Sequence, residues 1–265
     1  MGFFDFKERR KELARLGLRC PFGHDKDFRR QEGLDTEPET EEERKERLNS
    51  AQKVQLFEDY VQSSIQEYAK EGLKFEPLRV SPLQYIVMIW AEDAHGSIGT
   101  SAGIPWDVPA DREHFKACTM GHALIMGRKT FEQLQKPLEG RRNVVISQDP
   151  EFKAEGCEIV HSAQEALDLL AHEREIWVIG GKQIYDQFIH VAKELVVSYL
   201  MLDSSELAAQ AERIDAPYIL PHEWAIEEEK SDKNWREKSG DAQWRIVSYR
   251  RVQSSWMYTN PGLYR

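Results

Sequence analysis

The sequence is poor in each feature that marks a secreted, membrane-bound or nucleic-acid-binding chain. It has only 3 cysteines in 265 residues. An odd, scattered set forms no disulfide framework and fits a reducing compartment. No apolar run approaches the roughly 18 residues that a membrane span needs. The first residues, MGFFDFKERR, have no apolar core followed by small residues, and Phe6 stands where a myristoylation signal needs Ser or Thr. Basic charge is in deficit: 36 Lys and Arg face 46 Asp and Glu, a net −10, whereas a nucleic-acid binder carries a basic face. The dinucleotide fingerprint G-x-G-x-x-G is missing, and no internal repeat is visible. Cys20 and His24 have no second ligand pair nearby, and a structural zinc needs four ligands. The expectation is a soluble, cytoplasmic protein with no metal, no nucleic acid and no membrane partner.

The character of the chain changes at residue 82. Before it, charge comes in blocks and strand-like apolar runs are absent. Residues 1–30 carry nine Lys and Arg against five Asp and Glu, and residues 31–46 carry two against eight. Pro21, Gly23, Gly33 and Pro38 interrupt the stretch 20–38, which reads as a linker or irregular surface segment. Thr40 and Glu43 form a capping-box pattern. Leu48, Ala51, Val54, Phe57, Val61, Ile65 and Tyr68 follow at steps of three and four. They make one apolar stripe on a long helix that Gly72 would end. The stripe would dock on the rest of the chain or on a second copy, or serve as an arm for another protein. Residues 3–18 suit a shorter amphipathic helix, whose mixed charge argues against a membrane-surface role.

After Pro82, apolar strands alternate with short helices. Strands are predicted at 84–91, 122–126, 142–147, 157–161, 175–181, 194–202 and 242–252. Helices are predicted at 109–118, from 127 onward, at 162–171 with Ser162 and Glu165 as caps, and at 182–189. This pattern implies an α/β fold, a doubly wound and mostly parallel sheet. The alternating 242–252 run suits an antiparallel C-terminal edge. Ligands of such sheets bind at the carboxyl ends of the strands.

The chemistry concentrates in 98–116, IGTSAGIPWDVPADREHFK. A Gly/Ser loop, expected to be flexible, leads to the rigid pair Pro105-Trp106. A helix follows on which Asp111 and Phe115, four apart, share a face. The plain alternative for Asp111 is a first-turn carboxylate that complements a helix dipole. Glycine turns occur at Gly127 with Arg128, Lys129 and Thr130, at Gly180-Gly181, and from Gly96 to Gly103. Bare N–H groups at a helix start favour phosphate, and glycine permits close approach. Three such turns in one domain point to a phosphorylated dinucleotide.

Ala91, Ile98-Gly99, Pro105-Trp106, Pro109-Ala110-Asp111, Phe115-Lys116, Ile125 to Phe131, Pro137 to Arg141, Asn143, and Ile179-Gly180-Gly181 with Tyr185 occur in a telling order and spacing. On these pieces, residues 84–252 resemble dihydrofolate reductase. The resemblance implies NADPH-dependent reduction of dihydrofolate to tetrahydrofolate, a step of one-carbon metabolism. Asp111 would be the only carboxylate in the pterin pocket, Trp106 would hold a water near the pterin carbonyl, and Ser198 would support the carboxylate. Ile89, Ala91, Phe115, Leu134 and Leu138 would line the folate, and Arg141 would grip its glutamate tail with a bidentate fork. Arg128, Lys129 and Thr130, with Ser147 and Gln148, would meet the cofactor phosphates. Ala91, Ile98, Gly99, Gly127, Ile179, Gly180, Gly181, Lys182, Gln183 and Tyr185 would complete the cofactor site, with a cis peptide expected at the glycine pair. Residues 83–253 form the catalytic domain on this reading, 1–82 a helical extension and 254–265 a tail. The segment 201–221 departs from the family: it is longer and lacks the Gly-Asp pair of the loop that braces the lid in relatives.

Overall fold

The computed structural model describes residues 78–204, 211–217, 219 and 223–252. The expected helices at 3–18 and 40–72, the Cys20–His24 pair and the 254–265 tail lie outside the described residues. In chain order the first elements are β1 (Tyr85–Glu92), β2 (Ser97–Thr100), α1 (Pro109–Thr119), β3 (Ala123–Gly127), α2 (Arg128–Leu134), β4 (Arg142–Ile146) and β5 (Glu158–Val160). There follow α3 (Ala163–Leu169), β6 (Glu175–Val178), α4 (Lys182–Phe188), β7 (Glu194–Met201), β8 (Arg213–Asp215), β9 (Trp224–Ile226), β10 (Arg236–Ser239) and β11 (Ala242–Arg251).

One sheet carries the fold, in the order β10-β11-β7-β1-β6-β3-β4-β5, with β9 also paired to β11. From β7 to β5 every pairing is parallel, and β11 joins β7, β9 and β10 antiparallel. This is the expected doubly wound sheet with an antiparallel C-terminal edge. The central strands are covered on both faces, so they read as unbroken apolar runs and not as alternation. Ile86 to Trp90 of β1 and Ala123 to Met126 of β3 are all buried.

Local sequence explains the helices. α1 starts with Pro109, whose fixed φ and missing N–H suit a first helical position. α3 is capped as expected: the Ser162 hydroxyl accepts from the Glu165 amide at 3.1 Å. The Glu165 carboxylate reaches back to the His161 amide at 2.7 Å.

Two segments differ from the expectation. The stretch 96–103 is not a loose loop throughout, because Ser97–Thr100 forms β2, paired antiparallel with β8. The atypical 201–221 segment supplies that partner. Its backbone bonds extend the ribbon at both ends: Ser101 N–H to Glu212 O at 2.8 Å, and Ala216 N–H to Gly96 O at 2.9 Å. The root of β2 is tied down as well. The buried Asp93 carboxylate accepts from the amides of His95, Ser97 and Ser204 and from the Ser204 hydroxyl.

Candidate active site

Asp111 enters the site from the first turn of α1, after the corner formed by Trp106, Asp107 and Val108. Trp106 is buried in the same apolar cluster as Ile89, Val108, Trp244 and Ile246. Asp111 itself is half-buried and hydrogen-bonded by the Ser198 hydroxyl. Ser198 lies on β7 directly opposite Ala91 of β1. Burial pushes the Asp111 carboxyl above its usual range, while the Ser198 hydrogen bond and the charge of Arg236 pull the other way. The result is a carboxylate at a partly dry floor, flanked by apolar walls.

Ala91, Phe115, Leu134 and Leu138 pack, partly buried, on the cluster that holds Ile89 and Trp106. Arg141 stands at their far end. Its Nη1 donates to Thr119 Oγ1 at 3.1 Å and its Nε to Glu139 O at 3.0 Å. The Thr119 hydroxyl in turn donates to Phe115 O at 2.8 Å, which links Arg141 to the helix of Asp111. Buried Asn143 shapes the turn before Arg141 by accepting from Leu138 N–H at 3.0 Å. It also donates to Leu138 O at 3.0 Å and Arg141 O at 2.9 Å.

A second group of predicted residues gathers at the carboxyl ends of β3, β4 and β6. The Gly127 amide donates to Gly180 O at 2.7 Å, joining two glycine turns, and the Gly180–Gly181 peptide is cis. A Cβ at Gly127 would meet Ile184 at 3.1 Å and one at Gly181 would meet Thr130 Oγ1 at 3.4 Å, so both turns are closely fitted. Ile179 is buried beneath them. Tyr185 is buried, with its hydroxyl donating to Ile89 O at 2.6 Å across to β1. Arg128 opens α2 and is held by Asp149 at 2.9 Å and Glu132 at 3.0 Å. Ser147 is buried at the end of β4, and its hydroxyl accepts from Asp149 N–H at 3.2 Å.

Not every predicted residue joins these groups. Lys129, Gln148 and Gln183 are exposed, and Lys182 pairs along its own helix with Asp186 at 2.9 Å. Ile98 and Gly99 belong to the β2–β8 ribbon. The sequence reading missed His161, whose Nδ1 lies 2.8 Å from Ser147 O beside the β4 end. It also missed His114 and Arg236: the His114 ring sits 6.1 Å from that of Trp244, and Arg236 lies 4.5 Å over the same tryptophan. Burial, together with the nearby Arg236 charge, holds the His114 imidazole below its usual range. A His at i+3 from Asp111 was a usable signal for one of these, since i and i+3 are neighbours on a helix. Among the described residues no group of His, Cys, Asp and Glu is arranged to hold a metal ion, and no helix is long and apolar enough to cross a membrane.

Known proteins with the same arrangement can now be set beside it. The dihydrofolate reductase of Mycobacterium leprae is 42% identical over 147 residues, which cover 52% of this chain and 88% of that protein. That of Mycobacterium tuberculosis (strain H37Rv) is 38% identical over 167 residues, covering 62% of this chain and 96% of the relative. A solved dihydrofolate reductase from Enterococcus faecalis, complexed with NADP(H), superposes with a TM-score of 0.53 at 24% identity. It covers 64% of this chain and 97% of its own, and shows the shared fold. The family profile for dihydrofolate reductase matches residues 85–251, the whole span from β1 to β11. By that match, the chain belongs to the dihydrofolate reductase family, whose members are NADP-dependent oxidoreductases.

Proposed function

We propose that this protein reduces 7,8-dihydrofolate to 5,6,7,8-tetrahydrofolate with NADPH as hydride donor, in the cytoplasm. The observation that carries the reading is Asp111, a half-buried carboxylate bonded to Ser198 beside the apolar cluster of Ile89, Trp106 and Phe115, on the helix whose last residue, Thr119, holds Arg141. Its two oxygens would accept hydrogen bonds from the pterin amino group and the adjacent ring N–H. Its negative charge would favour a proton at the ring nitrogen next to the reduced carbon. The Trp106 indole N–H would hold a water near the pterin carbonyl. Phe115, Leu134 and Leu138 would sandwich the rings and exclude bulk water. Arg141 would take the tail carboxylate bidentately, and Thr119 and Glu139 O already orient its guanidinium.

The chain's own residues fit a phosphorylated dinucleotide. α2 and α4 both start at a glycine with no side-chain cap, whereas α3 carries its own serine cap. The backbone at those two starts is accessible to a ligand, and Arg128 and Lys129 add positive charge beside one of them. The Enterococcus relative in its complex bears NADP(H). Bound here, the nicotinamide would supply the hydride, and the protein's task would be alignment at near-attack distance.

A reductase acting on a tail-less pterin or pyrimidine is the competing reading, and Arg141 speaks against it because such substrates lack the carboxylate. The test is NADPH consumption by the purified full chain, with no substrate, with dihydrofolate, and with a tail-less pterin. Consumption only with dihydrofolate is expected. Equal rates on the tail-less compound, or none on dihydrofolate, would overturn the reading.

A further inference from the structure

The helix that carries Asp111 begins without a cap of its own. Val108 occupies the N-cap and offers no side-chain acceptor, although the first N–H groups of any helix need partners from outside. The missing acceptor arrives from the far end of the chain. The Ser239 hydroxyl, at the end of β10, accepts from Ala110 N–H at 3.0 Å. Two residues on, Asp241 grips the preceding corner twice. Its Oδ2 accepts from Asp107 N–H at 2.7 Å, and its own amide donates to Asp107 O at 2.9 Å.

Between them lies Gly240, the first residue of a two-residue hairpin turn that joins β10 to β11. Its φ is +61°, and a Cβ there would come within 2.2 Å of Asp107 O and 2.9 Å of Pro109 Cδ. Both facts demand glycine, because the contact is with backbone and the conformation is left-handed. The same hairpin carries Arg236. Asp232 fixes its guanidinium with two bonds of 2.7 and 3.0 Å, so that it lies 4.5 Å over Trp244. Trp244 packs beside His114, one turn along α1 from Asp111.

We propose that the β10–β11 hairpin is a positioning element of the active site, in which Ser239, Gly240 and Asp241 fix the corner that aims Asp111 while Arg236 presents positive charge to it. This rests on the reading of Asp111 as the pterin-binding carboxylate. The contacts of Ser239 and Asp241 are with the start of α1 and its preceding corner, through which they act. The charged and titratable groups around Asp111 are His114 and Cys118 on its own helix, and Arg236 with its partner Asp232 from the hairpin. From β7 comes the neutral Ser198 hydroxyl.

The test compares Ser239→Ala with Ser239→Thr, Asp241→Ala with Asp241→Asn, and Arg236→Gln with the wild type, all in the full chain. In the alanine variants kcat/KM for dihydrofolate should fall about five- to ten-fold, the scale of one lost capping bond. KM for NADPH should stay put, and Thr or Asn, which keep the acceptor, should restore most of the loss. Arg236→Gln should move the acid limb of the pH–rate profile to higher pH, since a carboxylate with less positive charge nearby is easier to protonate. A ligand-free readout accompanies these: hydrogen exchange at the Ala110 amide should quicken in Ser239→Ala. If melting temperature falls but the kinetics and pH profile of the folded protein do not change, the hairpin only holds the fold and the proposal is wrong. Equal losses toward both substrates, or no recovery with Thr and Asn, overturn it too. Should the wild type not reduce dihydrofolate at all, the functional reading fails by itself, and the Ala110 exchange still decides whether the clamp exists.

Discussion

On the side of the site proposed for the cofactor, one local unit occurs twice: a parallel strand, a glycine turn and a seven-residue helix, first as β3, Gly127 and α2, then as β6, Gly180-Gly181 and α4. Its parts are neighbours in sequence or on adjacent strands. The substrate side is collected from distant places. Asp111 lies on α1, its hydroxyl partner on β7, and the residues that hold its corner are 129 and 134 positions downstream of those they bind. A side assembled from local units should fail piece by piece. A side assembled from remote segments should fail when any one of them shifts, and its losses should register in dihydrofolate and not in NADPH.

The largest break should come at Asp111. Asp111→Asn should lower turnover about a hundred-fold or more, within the range of a positioned acid–base group. The same change should raise the melting temperature at neutral pH. The folded-state carboxyl sits above its unfolded value, so it favours folding only while protonated, and that contribution fades as pH rises through the folded-state value. Removing the charge removes this penalty. A lower melting temperature for the asparagine variant at neutral pH would contradict the burial account.

Arg128→Gln tests the other side. Loss of the guanidinium proposed to meet the cofactor phosphate should weaken NADPH binding about ten-fold, with KM for dihydrofolate unchanged, as fluorescence titration and steady-state kinetics would report. A matching rise in both constants would erase the distinction between the two sides.

Asn143→Ala should have an intermediate effect. It removes the partners of Leu138 N, Leu138 O and Arg141 O in a half-buried turn, at a cost of about 2 kcal/mol in denaturant unfolding. KM for dihydrofolate should rise several-fold as Arg141 loses its seat. The smallest effect belongs to Ser162→Ala, a cap remote from both groups. It should reduce stability by about 1 kcal/mol and leave both Michaelis constants as they were.

The same division explains what was legible in the sequence. Buried parallel strands announce themselves as apolar runs, and glycine turns between strand and helix are visible as they stand. The order of elements from β1 to β7, β2 excepted, and the glycine turns at Gly127 and Gly180 could therefore be read in advance. Asp111, Trp106 and Phe115 stood out by their spacing in 98–116, and they and Arg141 were given roles through the family resemblance. The short strands β2, β8, β9 and β10 were not, because three or four residues carry too little periodicity to register. REKS of β10 is also charged, as an exposed edge should be. His161 and Arg236 stayed hidden because their significance lies in neighbours supplied by other strands.

The ribbon of β2 and β8 is closed by main-chain bonds, which do not read side chains, and by a few side chains, among them Ser97 to Ile214 O and Arg213 to His95 O. A brace of that kind lets its residues drift while its register persists. The strand β8 can thus change at Ile214 and keep its pairing with β2. For protein engineering this marks Ile214 as the position to vary and Arg213 as the one to keep, with proline, which would remove a pairing N–H, as the substitution to leave out.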